Sequence, residues 1–156
     1  MLTMENLSYQ EKNIAVSLFT TLLIFIFYAV RMLQLSQDGN IEASEVYSLW
    51  GIVVVLGIVS SVAANIITQV VLTVFTGIIT GDMEEEPSIA DERDDLIGLK
   101  GMRNSFFVMA GGVFIAMGTQ VFDMPALTMF NIVFLSSILS ALIGDASQLY
   151  YYRRGF

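Results

Sequence analysis

Residues 46–80 read VYSLWGIVVVLGIVSSVAANIITQVVLTVFTGIIT, a stretch of 35 residues without a single Asp, Glu, Lys or Arg. A membrane-spanning helix needs only about 20 apolar residues, so this one is long enough to project beyond the hydrocarbon. Three further apolar segments, residues 14–35, 104–122 and 127–151, can each cross about 30 Å of hydrocarbon. The sequence therefore predicts an all-α integral membrane four-helix bundle, with residues 1–156 forming a single transmembrane domain.

The composition agrees with a chain in lipid and excludes several functions. Of the 156 residues, 55% are hydrophobic and only 14% are charged, and the mean hydropathy is +0.70. The chain has neither Cys nor His, which removes thiolate and imidazole catalysis and the usual zinc ligands. Its formal charge of −8 is unsuited to direct nucleic-acid binding. We therefore expect no enzymatic activity and no cofactor.

The basic residues predict how the helices are oriented. Lys and Arg collect on the cytoplasmic side of membrane proteins, whereas Asp and Glu have little influence. If the N-terminus is cytoplasmic, only Arg31 lies outside, and six basic residues lie inside: Lys12, Arg93, Lys100, Arg103, Arg153 and Arg154. We therefore expect both termini in the cytoplasm, with long second and third helices extending into it.

An acidic cytoplasmic loop and a helix start occupy residues 81–103, which read GDMEEEPSIADERDDLIGLKGMR. Ser88 followed by Asp91 resembles an acidic capping box and predicts that a helix begins here. The pattern leaves open whether residues 88–103 stand upright or lie along the membrane interface. Because the acidic run lacks the spacing of an EF-hand loop, we expect a solvated charge run and no metal site.

The chain shows signs of an internal repeat. Each predicted helical hairpin begins with a charged cytoplasmic segment, and the second and fourth apolar segments each contain a Ser-Ser pair, at residues 60–61 and 136–137. Two parallel helical-hairpin repeats would be related by an axis along the membrane normal. Two unrelated hairpins are the alternative.

Four polar residues within the apolar segments form a candidate intramembrane site: Asn65, Gln69, Asn131 and Asp145. Asn65 and Gln69 lie one turn apart on one helix face. Such amides either form interhelical hydrogen bonds or line a polar path with Asn131. Asp145 lies roughly 7–12 Å inward from the tyrosines at 150–152, where a carboxylate must be paired, protonated or hydrated. A neighbouring helix or a basic side chain would pair it; a coupling proton is the functional alternative.

The cytoplasmic face is the place for a soluble partner, because both predicted outer loops are short. The candidate docking residues are Asp91, Glu92, Arg93, Asp94 and Arg103. Arg93 can also simply pair with its acidic neighbours, and an exposed pair of this kind contributes at most about 1 kcal/mol.

Two motifs resemble those of a known family. They are DERD at residues 91–94, followed by Ile97, Gly101, Arg103, Ser105 and Phe106, and the ending QLYYYRRG at residues 148–155. Together they resemble a family of uncharacterised bacterial four-span membrane proteins, a domain of unknown function. The resemblance implies the bacterial inner membrane, and it implies genes often placed beside small helix-turn-helix regulators. It supplies no catalytic residues.

These patterns favour a non-enzymatic small membrane protein, a homodimer or an accessory or regulatory subunit that docks a cytoplasmic protein and otherwise contacts membrane lipid. The alternative is a small transporter or channel whose polar path is lined by Asn65, Gln69, Asn131 and Asp145. Hydration distinguishes the two, because a continuous polar cavity favours transport and a dry, small-residue interface favours assembly.

Overall fold

The computed structural model describes residues 9–37, 42–80 and 92–154, except for the side chains of residues 9, 64, 65, 68, 69 and 71–80. Within these ranges the chain forms four α-helices: α1 (Tyr9–Gln37), α2 (Ala43–Thr80), α3 (Glu92–Val121) and α4 (Ala126–Arg154). Four stretches are long and apolar enough to cross a membrane, namely Gln10–Gln37, Ala43–Ala63, Glu92–Val121 and Ala126–Arg154. The prediction of an all-α, multi-pass membrane protein is confirmed at this level.

Helix α3 is longer than the apolar segment that predicted it. It begins at Glu92 and continues without a break to Val121, about 45 Å at 1.5 Å per residue. The charged residues 92–103 therefore belong to the same helix as the third span. The predicted helix start at Ser88 and the acidic run before it lie outside the described residues.

Helix α4 occupies the middle of the bundle. It packs against α3 along one side and against α1 along another, and α1 in turn packs against α2. The α1–α4 pair therefore lies between α2, which packs mainly on α1, and α3, which packs on α4. The last helix of the chain thus joins the two helical hairpins.

The contact between α3 and α4 depends on small residues. The buried positions of α3 are Ile97, Gly101, Gly112, Ala116 and Thr119. A Cβ atom built on Gly112 would overlap the side chain of Ser136, and one on Gly101 would overlap the side chain of Gln148. Gly144 of α4 also lies near α3, but less closely, since its Cβ would come within 3.3 Å of Ser105 Cβ. In lipid, close backbone approach of this kind is a main source of helix association.

A tight turn connects α3 to α4. Met124 N–H donates to Thr119 O at 3.2 Å and Asp123 N–H donates to Gln120 O at 3.3 Å, which is the hydrogen-bond pattern of a Schellman motif. Asp123 occupies its left-handed position, with φ of 52°, a conformation that Asp tolerates better than most residues. Pro125 then precedes the first residue of α4, so the two helices turn back on each other within four residues.

Aromatic packing holds the first half of α2 against α1 and α4. The buried core here comprises Tyr28, Leu49, Val53 and Ile138. Trp50 stacks on Phe134 with ring centroids 5.4 Å apart, and Tyr28 contacts the same phenyl ring at 5.3 Å. Farther along α2 the described large side chains are exposed, including Ile58, Val59, Val62, Ile66 and Ile67. One face of the first half of α2 is therefore packed, and none of the described side chains of α2 after Val53 is buried.

We expect Gly112→Ala to lower the free energy of unfolding by about 1–3 kcal/mol, because the added methyl group overlaps Ser136 and forces α3 away from α4. The matched control is Gly118→Ala, which adds the same group to the same helix where nothing lies within 4 Å. Unfolding in a titration with denaturing detergent measures both. Equal stability of the two variants would contradict the small-residue seam.

Candidate functional site

The polar residues of α4 follow a seven-residue spacing along its contact with α1. Asn131, Ile138, Asp145 and Tyr152 are each seven residues apart, and the three polar members each accept or donate a hydrogen bond to α1. A seven-residue repeat is the spacing of a supercoiled helix pair, and polar residues in such a seam fix the alignment of the helices. We call these four residues the α4 seam.

Asn131 joins three helices at one end of the seam. Its Oδ1 atom accepts hydrogen bonds from the Tyr28 hydroxyl at 2.9 Å and from Trp50 Nε1 at 3.2 Å. Both donors come from aromatic side chains that would otherwise leave a polar group without a partner in an apolar environment. This amide, predicted as a candidate for a polar path or for helix packing, is thus engaged in interhelical hydrogen bonds.

Asp145 lies farther along the same seam and is half-buried. Its Oδ2 atom accepts a hydrogen bond from the Ser17 hydroxyl of α1 at 2.7 Å. Among the described residues, which include every lysine and arginine of the chain, this neutral hydroxyl is the polar partner found for the carboxylate. The neighbouring helix, and not Lys100 or Arg103, therefore provides its contact.

Tyr152 joins three helix ends. Its hydroxyl lies 2.7 Å from Gln10 Oε1 of α1 and 2.8 Å from Asp94 Oδ1 of α3. A phenol has one proton to donate, so the two contacts compete for it unless the Gln10 amide is rotated to donate to the phenol oxygen. The starts of α1 and α3 and the end of α4 therefore meet at one end of the bundle, which we call the tyrosine end.

Of the four residues predicted as one polar path, the structure describes the side chains of two, Asn131 and Asp145. Asn131 and Asp145 are separated by about 21 Å along α4, and each contacts different residues of α1. Asn65 and Gln69 belong to α2, but their side chains lie outside the described part of the chain. The two described residues of the predicted path thus form two separate interhelical contacts.

Four of the five predicted docking residues lie within the first twelve residues of α3. Glu92, Arg93 and Arg103 are exposed, whereas Asp94 is partly buried against Tyr152. Asp91 lies outside the described residues. These positions therefore divide into exposed charges and one carboxylate that attaches α3 to α4.

A cleft with a volume of about 360 Å³ lies between α1, α2 and α4 and was not predicted from the sequence. Its polar lining comprises Asn13, Ser17, Thr20, Thr21, Ser60, Ser61 and Ser137. The signal was present in α1, where residues 13, 17, 20 and 21 follow helical spacing on one face. Hydroxyl groups are common in membrane helices, so the spacing alone did not separate a cleft from ordinary helix packing.

Metal binding has no support in the part of the chain that the structure describes, where no three His, Cys, Asp or Glu residues come together. Comparison of the chain with protein-family models, curated proteins and solved structures gives no match. The function of the chain is therefore inferred from its own sequence and geometry.

We expect Asn131→Leu to lower the free energy of unfolding by about 1–2 kcal/mol, because Tyr28 and Trp50 both lose their acceptor. Trp50 is the chain's one tryptophan, so its emission maximum should also move to a shorter wavelength when the indole N–H loses its hydrogen bond. Asn104→Leu is the control, since Asn104 bonds to Ser147 on the other side of α4. It should leave the emission unchanged; a similar shift in both variants would argue against the Asn131 contact.

Proposed function

We propose that the chain is a non-enzymatic subunit of the bacterial inner membrane, accessory or regulatory, that docks a cytoplasmic protein through the first three turns of α3. The observation that carries the proposal is a stripe of exposed residues, spaced for one helix face, on those turns: Glu92, Leu96, Leu99 and Arg103. We call it the α3 stripe. Its two leucines are 52% and 61% exposed.

The α3 stripe differs in chemistry from the rest of the helix. Every charged residue of α3 lies within residues 92–103, and residues 104–121 carry none. Exposed apolar side chains in the uncharged part face lipid, whereas Leu96 and Leu99 lie among charges at a level suited to water and headgroups. Exposed apolar groups rimmed by charge are typical of protein interaction surfaces.

Contacts on the opposite face hold this part of α3 in place. Asp94 contacts Tyr152, and Asn104 Nδ2 donates to Ser147 Oγ at 3.0 Å. Ile97 is fully buried between these two contacts. A partner would therefore meet a rigid helix face, which lowers the entropy lost on binding.

The proposed orientation places the tyrosine end in the cytoplasm. Lys100 Nζ lies 5.5 Å from the centroid of the Tyr151 ring, and Arg154 is equally near the Tyr150 ring while also bonding to its hydroxyl. Tyrosine together with Lys and Arg is typical of a membrane–water interface, and an excess of basic residues is typical of the cytoplasmic one. The stripe would then face the cytoplasm.

Assembly with a second copy is part of the proposal. The later part of α2 exposes Ile58, Val62 and Ile66 at helical spacing, and apolar surface of this kind can contact lipid or another protein equally well.

The absence of Cys and His from the sequence supports a non-enzymatic role.

Because the chain has no cysteine, single-cysteine variants test the orientation cleanly. We expect Met124→Cys, in the turn between α3 and α4, to react with a membrane-impermeant maleimide in intact cells stripped of their outer membrane. Glu92→Cys, at the start of α3, should react only after the membrane is opened. Both positions are exposed, so the reversed labelling pattern would refute the proposed orientation.

A photocrosslinking amino acid at position 99 of the full chain tests docking in living cells. We expect a protein adduct of discrete mass, identified by mass spectrometry, because this side chain is exposed within the α3 stripe. Arg103→Glu should remove most of the adduct, whereas Arg31→Glu, at the other end of the bundle, should leave it unchanged.

The matched control places the same crosslinker at position 114, which is 74% exposed on the uncharged part of α3 and should give lipid adducts only. The docking proposal fails if position 99 also gives lipid adducts only, or if both positions give the same protein adducts.

A further inference from the structure

The cleft between α1, α2 and α4 has the size of a small-molecule site. Its volume of about 360 Å³ lies in the range of ligand pockets, which are usually about 300–1,000 Å³. Three helices contribute to its walls, and it lies beside the aromatic core that holds the first half of α2. Its position is therefore set by packed elements.

The cleft has a polar part and an apolar part. Seven of the lining residues are Ser, Thr or Asn, and they include Ser17 of α1, Ser60 of α2 and Ser137 of α4. Ile24, Val53 and Phe134 provide the apolar part. A pocket with a few hydrogen-bonding groups and an apolar wall suits an amphiphilic molecule.

A carboxylate is connected to the lining of the cleft by a hydrogen bond. The lining includes neither a basic nor an acidic side chain, but Ser17 connects it to the carboxylate of Asp145 through a 2.7 Å hydrogen bond. An ionised carboxylate within a membrane helix is costly unless it is neutralised or hydrated. Within the described residues, which contain all seven Lys and Arg residues, a neutral hydroxyl is its partner.

We propose that this cleft binds a small organic ammonium ion, with Asp145 as the counter-charge and the apolar wall holding the body of the ligand. A hydroxyl both donates and accepts, so the lining hydroxyl of Ser17 can present an oxygen to a cation while still donating to the carboxylate. An anion would be repelled by Asp145, and a neutral analogue would leave the carboxylate without a positive partner. The site is independent of the α3 stripe, so either proposal can fail without the other.

The chain carries its own reporter for occupancy. Its one tryptophan, Trp50, stacks on Phe134, which lines the cleft. We would titrate the full chain in phosphatidylcholine liposomes with phenyltrimethylammonium and follow Trp50 emission. The neutral isostere tert-butylbenzene, which replaces the nitrogen by carbon, controls for partition into lipid. We expect a saturable change with the cation and about tenfold weaker or no saturable change with the isostere.

Two glycines of α2 give a matched pair of variants. Gly57 lines the cleft and Gly51 does not, and a Cβ atom at either one meets nothing within 4 Å. Gly57→Leu should fill the cleft and abolish saturable binding, whereas Gly51→Leu should bind as the unmodified chain does. Asp145→Asn, which keeps the size of the side chain, should weaken the cation about tenfold and leave the isostere unaffected.

Equal binding by the Gly57→Leu and Gly51→Leu variants would overturn the site, because the signal would then come from outside the cleft. Equal affinity for cation and isostere, or an unchanged affinity in Asp145→Asn, would overturn the role of the carboxylate. The glycine pair keeps the location testable even if Asp145→Asn fails to fold.

Discussion

Helix α4 contacts all three other helices in a solvent that offers no hydrogen bonds. Because lipid is as apolar as the side chains themselves, helices associate through close packing and through the polar groups that they share. Toward α3, α4 presents Ser136 and Gly144, which allow the backbones to approach closely. Toward α1 it presents the α4 seam, with a polar group at three of its four positions. Helix α4 thus packs against both α3 and α1, and α1 packs in turn against α2.

The existence and type of the four helices could be predicted from the sequence, because long charge-free segments have few alternatives to crossing a bilayer. The partners of the polar residues could not be predicted. That Asn131 meets Tyr28 and Trp50 depends on how α1 and α2 are rotated, and apolar segments without a strong amphipathic pattern do not encode that rotation. The same applies to the glycines of α3, where Gly112 packs tightly and the adjacent Gly111 meets open space.

Asn131 and Asp145 each have a structural use that competes with a functional one. The Oδ1 atom of Asn131 accepts hydrogen bonds from two aromatic donors, so this atom stabilises the bundle and is not available to a ligand. Asp145 is different, because one neutral hydroxyl is a modest partner for a carboxylate. These two residues lie fourteen positions apart on the same helix. Their hydrogen-bond partners distinguish a packing role from a functional one more clearly than their residue types do.

The order of the helices in space has a consequence for biosynthesis. α1 is translated before α2 and α3, yet its polar partners lie on α4, which is translated after them. Throughout elongation, the hydroxyl of Ser17 and the amide of Gln10 must be accommodated by the insertion machinery or by headgroups and water. The hydrogen bonds between α1 and α4 can form only when the α3–α4 hairpin has entered the membrane and packs against α1.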